Sequence, residues 1–166
     1  MTFFHLQAPS GTDFLALVIR VARGSTHNFA IRVSDWFAGF VMLSFGLVLI
    51  FCPWAFGNSP WYALLEQIAK PDVWGVVCGF IGLLRIGALT VNGTFPAFRW
   101  SPHLRFAMSM LSCFVWFQVT LGLLAAREAT VAFAMFPQLL VFDLYNVFLA
   151  ASEAGAVERR YRDGRR

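Results

Sequence analysis

Residues 73–91 read VWGVVCGFIGLLRIGALTV, an apolar run interrupted by one charged side chain, Arg85. A helix needs about 20 predominantly apolar residues to cross the hydrocarbon core of a bilayer. Three more runs of this kind occur, at about residues 36–56, 104–126 and 130–151. The sequence therefore predicts an all-α polytopic membrane protein, with four transmembrane helices in an antiparallel bundle.

The composition favours the same class. Hydrophobic residues make up 58% of the 166-residue chain and charged residues 13%, whereas charged residues usually make up about 25%. Intrinsic disorder is excluded because it requires low hydrophobicity and high charge. We expect an N-terminal segment at residues 1–34, the bundle at 35–152 and a basic tail at 153–166.

The connections between the apolar runs carry turn-forming residues. Gly57 to Pro60 break the chain after the first run, and the following WYALLEQIAK stretch, residues 61–70, is predicted as a short interfacial helix. Arg127 and Glu128 form a very short third connection. The third and fourth spans are therefore expected to form a tight antiparallel hairpin.

The distribution of Lys and Arg predicts the orientation. Ten lie in the N-terminal segment, the second connection and the tail, against two, Lys70 and Arg127, in the first and third connections. Basic residues concentrate on the cytoplasmic side. We expect a bacterial inner-membrane protein with both termini in the cytoplasm.

Residues 12–23, TDFLALVIRVAR, predict an amphipathic helix on the cytoplasmic leaflet, the alternative being a helix packed under the bundle. The net charge of +4 is attributed to topology and to anionic lipid headgroups, not to nucleic acid. The basic residues expected to face lipid are Arg20, Arg23, Arg159 and Arg160.

Two charged residues lie within predicted spans. Arg85 is roughly 9 Å and Asp143 roughly 12 Å from the cytoplasmic ends of their spans, at 1.5 Å per helical residue. An ionised group within a membrane usually has a partner, so the two are predicted to pair. Alternatively, Arg85 extends to the interface. The pair is either structural or part of a polar path.

Other side chains form stripes on the predicted helices. Asn146 and Glu153 share a polar face with Asp143, while Arg105, Ser109, Ser112, Trp116 and Thr120 form one stripe of the third span. Gly75, Gly79 and Gly82 predict close helix packing, within the chain or between copies. Gln118 and Gln138 are predicted to form a hydrogen bond between neighbouring spans.

Signs of catalysis or cofactor binding are missing from the sequence. His5, His27 and His103 lie outside the predicted spans, and the three cysteines show no CxxC spacing. The chain has no HExxH, GxSxG or Walker A motif. We therefore predict no enzymatic activity, no catalytic residue, no metal and no cofactor.

A family resemblance rests on Trp74-Gly75, Arg85, Asn92-Gly93, Pro102 with Arg105, and Asp143-Leu144-Tyr145. These features, over residues 35–155, resemble those of small uncharacterised four-helix membrane proteins encoded by tailed phages and prophages of Gram-negative bacteria. The resemblance implies a phage or prophage setting and no particular chemistry. The helix at 12–23 is not part of it.

Three functions fit the sequence. The first is a non-enzymatic accessory or assembly subunit that acts through helix packing, alone, as an oligomer or in a larger membrane complex. The second is a holin-like pore former, for which small size, several spans and the basic tail are typical. The third is an ion-conducting or transport subunit that uses Asp143, Asn146 and Glu153.

Overall fold

The computed structural model describes Leu15, Ile19 and residues 32–54, 59–94, 100–127 and 130–164. This part of the chain is helical and contains no strand. The helices are α1 (Val33–Phe51), α2 (Ala63–Glu66, preceded by a 3₁₀ turn at Pro60–Tyr62), α3 (Pro71–Thr94), α4 (Ser101–Ala126) and α5 (Val131–Asp163). Among the described residues, α1, α3, α4 and α5 are long and apolar enough to span a membrane.

The helix ends differ from the predicted ends where charged or turn-forming residues lie. α1 begins at Val33 rather than at residue 36, so Asp35 lies in its first turn. It ends before Pro53, since a proline disfavours helical backbone at the residue preceding it. α4 begins at Ser101, with Pro102 in its first turn, where the missing N–H costs nothing.

α5 is longer than predicted. It continues to Asp163 and has 33 residues, so it is about 50 Å long. Residues 152–163 contain no proline and include several alanine, glutamate and arginine residues, which favour helix. The predicted basic tail therefore begins as a continuation of α5, with Arg159 and Arg160 exposed near its end.

The long helices pack mainly in two pairs, α1 with α3 and α4 with α5, and the pairs meet where α3 contacts α4. α1 and α3 approach closely through glycine. A methyl group on Gly82 would lie 2.6 Å from the Leu43 backbone nitrogen, and one on Gly75 would lie 2.6 Å from Ile50 Cγ1. Gly79 differs from these two, because nothing lies within 4 Å of a methyl group placed there.

The segment predicted as a short interfacial helix forms the 3₁₀ turn and α2. Trp61, Tyr62 and Leu65 are buried, and the turn and α2 contact α4. Gly122 of α4 has no side chain, so the Trp61 carbonyl can lie directly against it. The bulky apolar residues of this segment add to the core that α1, α3 and α4 form.

The predicted amphipathic helix at 12–23 lies outside the described residues, apart from Leu15 and Ile19, whose side chains are exposed. Arg20 and Arg23 also lie outside the described residues.

Candidate functional site

Arg85 of α3 lies at the centre of a buried group of charges. Its Nη1 donates to Asp143 Oδ1 of α5 at 2.5 Å, and its Nη2 donates to Asp35 Oδ1 of α1 at 2.9 Å. All three side chains are at most 1% exposed. The structure thus brings Arg85 and Asp143 together and adds Asp35 as a second partner.

Arg105 of α4 extends this group toward the N-terminal end of α1. Its Nε donates to Asp35 Oδ2 at 3.0 Å, and its Nη2 contacts the same oxygen. Its Nη1 donates to Glu153 Oε2 of α5 at 2.7 Å. Arg32, just before α1, reaches the same Glu153 oxygen at 2.9 Å.

Trp116 of α4 ends the group on the opposite side. Its indole Nε1 donates to Asp143 Oδ2 at 3.0 Å, so both carboxylate oxygens of Asp143 accept a bond. We call the seven connected residues the charge network; in order of contact they are Trp116, Asp143, Arg85, Asp35, Arg105, Glu153 and Arg32.

The charge network is electrically balanced. Three arginines face three carboxylates, and α1, α3, α4 and α5 each contribute at least one charged residue. An isolated charge in the centre of a membrane is costly, and breaking a buried pair leaves the other charge uncompensated, at about 3–5 kcal/mol. Each of these charges can therefore be buried only when a helix or segment other than its own supplies the opposite charge.

One end of the charge network is more accessible than the other. The Glu153 side chain is 34% exposed and that of Arg32 19% exposed, whereas Asp143 and Arg85 are at most 1% exposed. At this end, burial lowers the pKa of Arg32, as does Arg105, while Glu153 and Asp35 oppose the shift. The group thus runs from a partly exposed end into the interior of the protein.

Polar side chains without a protein partner lie beside the charge network. Ser109, Ser112 and Asn146 are fully buried. The two serine hydroxyls, Asn146 Oδ1 and Arg85 Nε have no hydrogen-bond partner within the described part of the chain, whereas the Asn146 amide group interacts with Asp143.

Aromatic rings lie beyond Trp116, at the end opposite Glu153. The Trp116 ring centroid lies 5.1 Å from that of Phe45 and 5.7 Å from that of Phe136. The Phe136 ring lies 5.6 Å from that of Trp61. These four rings form an aromatic layer that fills the interior between the charge network and α2.

Sequence reasoning missed part of this site. Asp35 lies one residue before the predicted start of the first span. Arg105 belongs both to the basic residues of the second connection and to the polar stripe of the third span. The signal available was that stripe, because Arg105, Ser109, Ser112 and Trp116 are all buried inward. Asn146 and Glu153 face the same interior, as their spacing from Asp143 indicated.

The predicted hydrogen bond between Gln118 and Gln138 is not formed. No hydrogen bond joins these two residues, both of which the structure describes, and Gln138 is exposed while Gln118 is half-buried. α5 directs Asp143 and Asn146 toward the interior, and this rotation turns Gln138 to the outside. Two residues at a similar depth on neighbouring helices therefore need not face each other.

Within the described ranges, no three His, Cys, Asp or Glu side chains are grouped so that they could hold a metal ion. Comparison of the chain with protein-family models, curated proteins and solved structures finds no match.

Proposed function

We propose that this chain is a non-enzymatic integral protein of the bacterial inner membrane that serves as an accessory or assembly subunit. The observation that carries the proposal is the charge network, in which every arginine and carboxylate is paired with a residue of another helix or segment. Groups engaged in this way hold helices together. The role that remains is to present a fixed outer surface to other membrane proteins.

The orientation follows from where the basic residues lie. Arg32 and Glu153 mark the partly exposed end of the charge network, and Arg159 and Arg160 follow on α5 with exposed side chains. Anionic lipid on the cytoplasmic leaflet would attract this basic end. We therefore place it, and both termini, in the cytoplasm, and we propose a phage or prophage setting on the sequence resemblance alone.

The outer surface of α4 and α5 is the part we assign to helix packing. An apolar groove of about 470 Å³ is lined by Met110, Cys113, Phe114, Phe117, Leu140 and Leu144. Side chains of α5 next to it are exposed, among them Val141 at 62% and Phe148 at 73%. Close packing of apolar side chains drives helix association in membranes. A groove allows a partner helix to make more of these contacts than a flat surface does.

Copurification tests the accessory role. The tagged chain, expressed at native level in its host and extracted in mild detergent, is expected to elute with a second integral membrane protein. Leu144→Trp, which fills the groove, should reduce that protein's yield at least several-fold. Val76→Trp, at an exposed position of α3 that does not line the groove, is the matched control and should not. Elution of the chain alone, at the mass of one copy, would contradict the proposal.

The second candidate is a holin-like pore or an ion-conducting subunit. It is favoured by the polar interior that runs from Glu153 to Asp143, where the Ser109 and Ser112 hydroxyls have no partner among the described residues. Against it, the aromatic layer closes the other half of the interior. Dye entry and cell density after induced expression distinguish the two. We expect intact membranes, and abrupt dye entry with growth arrest would favour the pore.

A further inference from the structure

Unpartnered polar atoms are concentrated in one layer of the interior. Four fully buried side-chain atoms there have no hydrogen-bond partner among the described residues, namely Arg85 Nε, Ser109 Oγ, Ser112 Oγ and Asn146 Oδ1. Buried polar side-chain atoms are in large majority hydrogen-bonded, to protein or to ordered water. Four exceptions in one region indicate a ligand that the protein's own atoms do not supply.

Helix register places these atoms together. The Trp116–Asp143 and Arg105–Glu153 bonds join the antiparallel helices α4 and α5 at two levels. At 1.5 Å per residue, Asn146 lies about 4.5 Å and Ser112 about 6 Å from the first level, and Ser109 about 10.5 Å. All three therefore lie between the two bonded levels.

Arg85 enters the same layer from α3. Its guanidinium spans from Asp143 to Asp35, and Asp35 is held at the other level by Arg105. Its Nε–H is the one donor of that guanidinium group identified as buried and unpartnered. Residues of α3, α4 and α5 thus all contribute unpartnered polar atoms between the two levels.

The chemistry of these atoms matches water. Arg85 Nε donates, Asn146 Oδ1 accepts, and the two serine hydroxyls do both. A cation would be repelled by Arg85 and Arg105, and an anion by Asp35 and Asp143. A buried water makes about three hydrogen bonds of either kind, so the four atoms correspond to about two waters.

We propose that Ser109, Ser112, Asn146 and Arg85 Nε form a hydration site in the membrane interior. Its waters complete the hydrogen bonds of the charge network and exchange with the cytoplasm past Glu153, whose side chain is 34% exposed. The site is independent of the accessory role, because it requires only the interior of one copy of the chain.

Magnetisation transfer from water to the Asn146 side-chain amide tests the site directly. The full chain in lipid nanodiscs is labelled with ¹⁵N at asparagine, and Asn146→Leu identifies the Asn146 signal by its loss. We expect transfer from water to both Asn146 amide protons. A well-resolved Asn146 signal without transfer would overturn the proposal.

Thermal stability of serine variants gives a second, independent test with opposite signs. If the hydroxyls bind water, Ser109→Ala and Ser112→Ala each lower Tm by about 2–4 °C, as the loss of one net hydrogen bond would in a chain of this size. If the hydroxyls are dry and unpartnered, both changes leave Tm equal or raise it, and the proposal fails.

Two controls calibrate that measurement. The Ser101 hydroxyl donates to the Ala88 carbonyl at 3.1 Å, so Ser101→Ala should lower Tm whether or not water is bound. Ser44 is exposed on α1, so Ser44→Ala should not lower it.

Discussion

Asp35 is the carboxylate of the charge network that pairs with two buried arginines. Its Oδ1 accepts from Arg85 of α3 and its Oδ2 from Arg105 of α4, so one carboxylate links three helices. Asp143 pairs with one arginine and accepts its second bond from the uncharged Trp116 indole. The two carboxylates therefore differ in how much their loss should cost.

Arg85→Leu should be more harmful than the double change Arg85→Leu with Asp143→Leu. The single change leaves the buried Asp143 carboxyl without its only cation, a loss of about 3–5 kcal/mol. The double change removes one positive and one negative charge, and Asp35 keeps Arg105. Tm in detergent and accumulation in the membrane measure both, and defects that simply add would contradict the pairing.

Trp116→Phe should cost more than Trp74→Phe, although each removes one indole N–H. The Trp116 indole donates to the charged Asp143, while that of Trp74 donates to the neutral Leu65 carbonyl at 2.9 Å. Bonds to charged groups contribute about 1.5–3 kcal/mol and neutral ones about 0.5–1.5 kcal/mol. Equal losses of Tm in the two variants would mean that Asp143 does not depend on the indole.

At the scale of elements, the apolar runs predicted the four long helices, because length and hydropathy are local properties of the chain. The helix ends and the partners were harder to predict. Asp35 is charged and lies one residue before the first apolar run, and Arg105 is charged and lies at the very start of the third, yet both are buried within helices. What allows this is a carboxylate or guanidinium from a helix 50 or 70 residues away, and no local pattern encodes that distance.

The packing of α1 on α3 predicts that two neighbouring glycines respond oppositely to the same change. Gly82→Ala places a methyl group against the α1 backbone, 2.8 Å from the Gly39 carbonyl, and should cost about 1–3 kcal/mol through overpacking. Gly79→Ala meets nothing within 4 Å and should leave Tm unchanged or raise it. Comparable destabilisation by both variants would contradict the helix contact.

The whole molecule combines a polar half and an aromatic half within one bundle. Partly exposed charges lie at the end with Arg32 and Glu153, and packed rings lie at the end with α2. The charged end suits contact with water and anionic lipid, and the aromatic end does not. Because the two ends differ, labelling each of them separately tests the proposed orientation.

Single cysteines at the two ends should label from opposite sides of the membrane. In a background with Cys52, Cys78 and Cys113 replaced, Gln67→Cys lies just after α2 and Tyr161→Cys near the end of α5, both at exposed positions. A membrane-impermeant thiol reagent added to intact spheroplasts should modify the first and not the second. Labelling reversed between the two would place both termini outside the cytoplasm.

The ion pairs of Arg85 with Asp35 and Asp143 set an order of events during synthesis. Asp35 leaves the ribosome 50 residues before Arg85, which is roughly 3–10 s at about 5–20 residues per second. Arg85 then precedes Asp143 by 58 residues. A nascent chain that stops before α5 leaves Arg85 and Arg105 sharing the single carboxylate of Asp35. Truncated products thus retain an excess positive charge within the bilayer, which marks them chemically as different from the finished protein.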